Sequence, residues 1–307
     1  MLASHGTLSC KQEKAMPSRR ILIAISEWGY WGEELVAPLD RFDEQGYEVD
    51  FVTPKGLRPI ALPVSYDPTF EDPPLGEGKE IVSQKMADKV KKLEQPSNPT
   101  LSKPRNLTDW FPENPYPSAP RYLRERESYF KALNDRKTEI DESYDAILIV
   151  GGSGPLMDMA NNYRLKDLIR CFYELGKPIA AECYGVTCLA FTHISEDDGR
   201  PIIWGKHVTG HPRPYDYQEG SAFWDRERKD YLVTRFPTVP LQLILELAVG
   251  PQGRFHGNVG KEFSVIVDYP FITGRSTGDS ELTGIKLIEV LESRKAGKPG
   301  PLERYGW

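Results

Sequence analysis

The chain has 307 residues, of which 39% are hydrophobic and 27% charged, and a formal charge of -6. This is the composition of an ordinary globular protein with room for one large core, or a core plus a small extra domain. The acidic balance, without a basic stripe interleaved with aromatics, excludes a general nucleic-acid binder, and no uninterrupted apolar stretch is long enough to cross a bilayer.

Residues 1–19 are polar, carry Lys11, Lys14 and Arg19, and lack the apolar middle of a secretory signal, so a disordered leader is expected there. The run from Arg20 to Ser26 is apolar throughout its middle, as in a strand buried on both faces. From Glu33 to Gln45, Leu35, Val36, Leu39 and Phe42 recur at helical spacing, and Gly46 is placed to end the helix. Tyr47 to Thr53 reads as the next strand, closed by Pro54-Lys55-Gly56. Strand, helix and strand in so short a stretch make a βαβ unit with a right-handed crossover.

Residues 57–140 break this rhythm with prolines, among them Pro73, Pro74, Pro96, Pro99, Pro104 and Pro112. Two helices are expected, Lys79 to Leu93 and Tyr122 to Asn134. A long irregular insertion is often a functional lid. Its aromatics, Tyr66, Phe70, Trp110, Phe111 and Tyr116, would then cover a site; the alternative is a surface excursion. The alternating pattern resumes with a strand at Tyr144 to Val150, a helix at Leu165 to Leu175 and a strand at Ile179 to Ala181. A hairpin around Ile202 to Thr209, a helix at Pro240 to Ala248, strands at Ser264 to Asp268 and Phe271 to Thr273, and a helix at Ser280 to Leu291 follow. Residues 295–307 read as a Gly/Pro-containing tail. One doubly wound α/β domain, mostly parallel and with helices on both faces, spans 20–294.

The sharpest chemical signal is Cys183 in Ala181-Glu182-Cys183-Tyr184-Gly185, between a strand and the apolar run Val186 to Phe191. Strand, tight turn, then helix would hold a thiol beside the amides that open the helix, which favour the thiolate. Otherwise it is an inert core cysteine. The four cysteines (Cys10, Cys171, Cys183, Cys188) have no metal-ligand or disulfide-scaffold spacing, which fits a reducing cytoplasm. Glu34 opens the first helix, and loops after parallel strands share one sheet edge. It could pass a proton to and from the thiol, or merely suit the helix dipole. Gly151-Gly152-Ser153-Gly154 follows a strand on the same edge and could turn amides toward an oxyanion together with that of Tyr184, or simply make a tight turn. Glu182 is unusual at the end of an apolar strand: a second pocket carboxylate, or a residue held by an arginine.

These stretches carry a resemblance. Gly32-Glu33-Glu34-Leu35 with Pro38, the run Gly46 to Gly56, the glycine loop with Asp158, and the Cys183 turn resemble the signatures of the DJ-1/ThiJ/PfpI superfamily (class I glutamine amidotransferase-like). Gly205 to Gly210 and Phe271 to Ser276 are similar to its larger Hsp31-like branch. The resemblance implies a flavodoxin-like fold, a nucleophile at Cys183, a partner carboxyl at Glu34, and oxyanion or substrate-binding groups at Gly152, Ser153 and Tyr184. It implies neither a metal nor an organic cofactor, and a homodimer. Relatives commonly have histidine where this chain has Tyr184, and a phenol of ordinary pKa cannot replace imidazole as a base at neutral pH. His211, within Gly210-His211-Pro212-Arg213-Pro214, is the best substitute, with His207 behind it and Asp216 as a possible acidic third member.

The expected function is a cysteine-dependent hydrolase or hydro-lyase acting on a small electrophilic carbonyl substrate, in its concrete form a glyoxalase III-like enzyme taking methylglyoxal to lactate. Alternatives are an isocyanide hydratase-like or biosynthetic enzyme of the same superfamily, or a stress chaperone or redox sensor in which Cys183 is oxidised.

Overall fold

The computed structural model describes residues 18–71, 80–195, 197–216, 221–225, 228–234, 239–295 and 303–305. In chain order, β1 (Arg20–Ala24), α1 (Gly32–Glu44) and β2 (Glu48–Thr53) form the opening βαβ unit. Then come α2 (Gln84–Glu94), β3 (Arg105–Asn106), α3 (Leu107–Trp110), α4 (Tyr122–Ser143) and β4 (Ala146–Ile149). Next are α5 (Pro155–Asp158), α6 (Tyr163–Glu174), β5 (Ile179–Glu182), α7 (Thr187–Ala190) and β6 (His207–Val208). The chain closes with β7 (Ser221–Asp225), β8 (Asp230–Thr234), α8 (Leu241–Ala248), β9 (Arg254–Phe255), β10 (Val265–Asp268), β11 (Phe271–Gly274), α9 (Ser280–Lys295) and β12 (Glu303–Tyr305).

The main sheet runs β12-β10-β11-β5-β4-β1-β2-β3. From β3 to β11 every neighbour is parallel, and β10 is antiparallel to both of its partners. Alternation of side chains sorts the strands onto two faces. Ile21, Ile23, Leu148 and Ala180 pack with Leu35, Phe42 and Leu287 of α1 and α9 on one face. Leu22, Ala24, Ile147, Ile149 and Ala181 pack with Leu168, Phe172 and Leu245 of α6 and α8 on the other. Burying each leucine, isoleucine or phenylalanine side chain here contributes about 1.5–3 kcal/mol before entropic losses, and strands apolar on both faces leave no solvent-facing alternative register.

The chain leaves β1 for β2 on one side and later returns to β4 on the other, so the order reverses between β1 and β4. At such a reversal the loops diverge and open a crevice at the carboxyl ends of the strands. Ala24, Val52, Ile149 and Ala181 lie level across the sheet, bringing the loops after β1, β4 and β5 to one place. Asp158 ties two of them, accepting from Ser26 Oγ at 2.7 Å and from the Glu27 amide at 2.9 Å.

Several expectations are corrected. Residues 202–209 form no hairpin: His207–Val208 pairs in parallel with β9, so its partner comes from beyond α8. Three residues of the expected tail, Glu303–Tyr305, pair with β10 as the sheet edge. Arg19, placed in the leader, already pairs with Asp145 at 2.5 Å; residues 1–17 lie outside the described residues, as does Cys10. The insertion also supplies β3 to the main sheet, and its expected end at 140 falls inside α4. Trp110 and Phe111 belong to the core, packed with Tyr144, and Tyr116 is exposed. Tyr66 and Phe70 pack behind Ile81 and Val82. The proposed aromatic cover does not form: four of these rings pack against apolar partners elsewhere, and Tyr116 faces solvent.

The insertion does position α1. No side chain of its own caps that helix, and the Gly32 amide donates to Ser65 Oγ at 2.9 Å, fully buried. Ser65→Ala leaves this amide without a partner and is expected to cost about 1–3 kcal/mol of stability, read from urea unfolding. A loss below about 0.5 kcal/mol would mean that the cap is dispensable.

Candidate active site

β5 ends at Glu182 and the chain turns sharply at Cys183, whose φ is +50°. A non-glycine residue in the left-handed region is uncommon, and such strain is held where the surroundings over-determine it. Here the turn continues as a short 3-10 segment, Cys183–Val186, into the single turn of α7. The helix expected over the apolar run Val186 to Phe191 covers only the four residues Thr187–Ala190, and its dipole is correspondingly weak.

Cys183 is 5% exposed at the floor of a cavity of about 400 Å3. Burial, followed by the Glu34 carboxyl, pushes its thiol well above the usual range, while the amides of Gly152 and Tyr184 oppose the rise. Removal from water thus works against a resting thiolate, which the two amides and the one-turn helix favour.

Glu34, on the first turn of α1, is 1% exposed and faces the same floor. Burial raises its carboxyl to about 8, tempered by the Cys183 thiol and by the amides of Gly151 and Gly152. Its Oε2 has no hydrogen-bond partner within ordinary geometry. At neutral pH this carboxyl holds its proton. The glycine loop makes the approach possible: a Cβ on Gly151 would lie 2.3 Å from Glu34 Oε2 and 2.7 Å from the Cys183 Cβ. Gly152 adopts φ +85°, and a Cβ there would meet the Trp31 amide at 2.6 Å. Ser153 also lines the cavity.

His211 reaches the sulfur from the loop after β6, with Nδ1 3.5 Å from Sγ. Its Nε2 lies 3.4 Å from Asp216 Oδ1. Tyr184 stacks on the imidazole at 4.4 Å between ring centres and donates its phenol to Asp216 at 2.5 Å. An Asp216 carboxylate at this distance favours the tautomer with its proton on Nε2, which leaves the lone pair of Nδ1 facing the thiol. The residue in the place of the missing histidine thus holds the imidazole and its carboxylate in position. His211→Asn is expected to lower kcat/KM about 10^2–10^4-fold with an unchanged fold; a fall of less than threefold would show that His211 has no part in proton transfer.

The structure brings Glu34, Gly152, Ser153, Cys183, Tyr184 and His211 to one cavity. His207 is elsewhere, 2.8 Å from His256 Nε2 through Nδ1. Glu182 answers to neither expectation. It is fully buried, does not line the cavity, and no arginine among the described residues pairs with it. Burial, then Glu34, pushes it well above the usual carboxylate range, and the Thr283 and Ser280 hydroxyls temper the rise. Sequence reasoning missed Trp31, Leu62, Val64 and Tyr215 on the cavity wall. Only the position of Trp31, three residues before Glu34, offered a signal. Among the described residues no group of three or more His, Cys, Asp or Glu could hold a metal ion, and no helix is long and apolar enough to cross a membrane.

A parallel sheet with a cysteine on a strained turn at its order reversal, facing a carboxyl of the first helix, defines a flavodoxin-like α/β protein with a buried thiol site. Residues 130–289, more than half of the chain, match the DJ-1/PfpI family, and the chain belongs to that family. It is 32% identical over 101 residues to a probable glutathione-independent glyoxalase, hsp3103, of Schizosaccharomyces pombe. That match covers 31% of this chain and 39% of the relative, well under two thirds of its length. The crystal structure of glyoxalase III from Candida albicans is similar with a TM-score of 0.59 at 16% identity, covering 88% of this chain and 96% of that one. The Rapid Encystment Protein 24 KDa of Francisella tularensis is similar with a TM-score of 0.58 at 17% identity, covering 89% and 99%. At these identities the two structures establish the fold.

Proposed function

We propose that the protein is a glutathione-independent glyoxalase III-like enzyme that takes an α-oxoaldehyde such as methylglyoxal to the 2-hydroxy acid through Cys183. The observation that carries this reading is one buried sulfur set between a carboxyl raised to about 8 and an imidazole 3.5 Å away. The curated relative and the Candida albicans fold neighbour, both named as glyoxalases, support the choice of reaction.

In the resting site the buried Glu34 carboxyl keeps its proton, which suits a pocket withdrawn from water. His211 Nδ1 takes the thiol proton as the sulfur bonds to the aldehyde carbon. The carbonyl π pair moves to oxygen, held by the Gly152 and Tyr184 amides, and that oxygen takes the Glu34 proton. Glu34, now a carboxylate, removes the proton from the former aldehyde carbon. The electron pair forms the carbon–carbon double bond of an enediol, and imidazolium protonates the second oxygen. Glu34 then delivers its proton to the second carbon while His211 takes the first hydroxyl proton, leaving a thioester. Water adds to the thioester carbon and gives a proton to Glu34. The carbon–sulfur bond breaks and the departing sulfur takes the imidazolium proton. The first carbon is oxidised and the second reduced, so the net change is addition of one water and no external oxidant is needed.

The redox-sensing alternative requires an accessible thiol of low pKa, whereas burial works against both properties at Cys183. The test is purified protein, methylglyoxal and no added thiol, in heavy water. Lactate is expected, with deuterium at its second carbon, since a carboxyl proton exchanges with solvent and a hydride shift would leave that carbon unlabelled. Absence of lactate would sink the reading.

A further inference from the structure

Resting on that reading, we propose that the substrate is an uncharged α-oxoaldehyde bearing an apolar group, aryl or branched alkyl, which packs against a wall made by Trp31, Leu62, Val64, Ile81 and Val82. Three observations carry this. The first is size: the cavity of about 400 Å3 lies in the range that holds drug-sized ligands, whereas methylglyoxal needs only the polar floor around Cys183. The second is the division of the lining. The reactive groups Cys183, Glu34 and His211 neighbour one another, whereas Leu62 and Val64 come from the segment after β2, Ile81 and Val82 from the approach to α2, and Trp31 from the turn before α1. Ile81 and Val82 are held there by their own small cluster with Ala87, backed by Tyr66 and Phe70. An apolar surface built into a reaction cavity is covered by substrate or left to water, and only the first is favourable.

The third observation is charge. Glu33, Glu80 and Glu262 line the cavity with Lys261 and Arg275. Arg275 is not available to a substrate carboxylate. Its guanidinium donates to Asp279 at 3.1 Å and to the carbonyls of Asn258, Lys261 and Glu262 at 2.5, 3.0 and 3.2 Å. Lys261 is left against three acids. A carboxylate-bearing substrate would enter a site of its own sign with no guanidinium fork to receive it.

The experiment uses the intact protein and three alkylating probes of Cys183: iodoacetamide, N-phenyl iodoacetamide and iodoacetate. Each rate is divided by the same probe's rate with glutathione and read by mass spectrometry at Cys183. The phenyl probe is expected to react at least about 10-fold faster than iodoacetamide after this correction, and iodoacetate at least about 10-fold slower. In Val64→Asp the phenyl advantage is expected to fall to about unity. The wild-type series alone decides the matter should that variant fold poorly. A phenyl probe no faster than iodoacetamide, or iodoacetate as fast as the neutral probes, overturns the proposal. Turnover is read separately: phenylglyoxal is expected to exceed methylglyoxal in kcat/KM by at least about 10-fold. A phenyl preference in alkylation without turnover of either aldehyde would remove the glyoxalase reading and leave the apolar selectivity standing.

Discussion

Cys183→Ala is expected to reduce turnover of any α-oxoaldehyde by at least about 10^4-fold, the scale seen when a covalent nucleophile is removed. No other thiol among the described residues can take over. Cys171 and Cys188 are buried and do not line the cavity. The fold should survive, since alanine removes a single buried atom and the φ of +50° is imposed by the surrounding turn. Residual activity above about one part in a hundred, measured by lactate formation with correctly folded variant, would place the chemistry on another group.

Glu34→Gln is expected to separate activity from stability. Loss of the proton shuttle should lower kcat/KM by about 10^2–10^4-fold. In the wild-type protein the same dependence predicts that activity falls as pH rises through about 8, where the carboxyl loses the proton it must give to the oxyanion. The stability effect runs the other way. Below the unfolded value of 4.5 the carboxyl is protonated in both states and contributes no penalty. Between 4.5 and about 8 the unfolded chain ionises while the folded protein keeps its proton, so stability falls as pH rises, and above about 8 the loss is complete. A shift of this size corresponds to at most about 5 kcal/mol. Glutamine does not titrate, so the variant should be more stable than wild type at pH 8 and show a flatter profile between pH 5 and 8, as measured by urea unfolding. A variant with the same pH slope as wild type would show that Glu34 is not the buried neutral acid described here.

The thiol and its partner carboxyl were legible because each is tied to local geometry. A cysteine between a strand and a helix start, and a glutamate in a first helical turn after another strand, are brought together by any parallel sheet. His211 was legible only as a substitute for the absent neighbour, and the stacking of Tyr184 on it depends on where the chain passes after β6. The aromatics of the insertion misled because aromatic content indicates burial and says nothing of which face is covered. Trp110 finds Tyr144 and the core, while the apolar side chains that the insertion gives to the cavity wall are aliphatic: Leu62, Val64, Ile81 and Val82.

What the sequence determined by itself is the order of elements and the residues at their ends, because apolar runs and glycine stops act over a few neighbours. Only the tertiary structure decided the protonation of the site and the character of its cavity. Burial raises Glu34 and Cys183 together, and burial is a sum over atoms from α1, the glycine loop, the insertion and the loop after β6. Residues far apart in the chain supply that sum, so no local pattern encodes it.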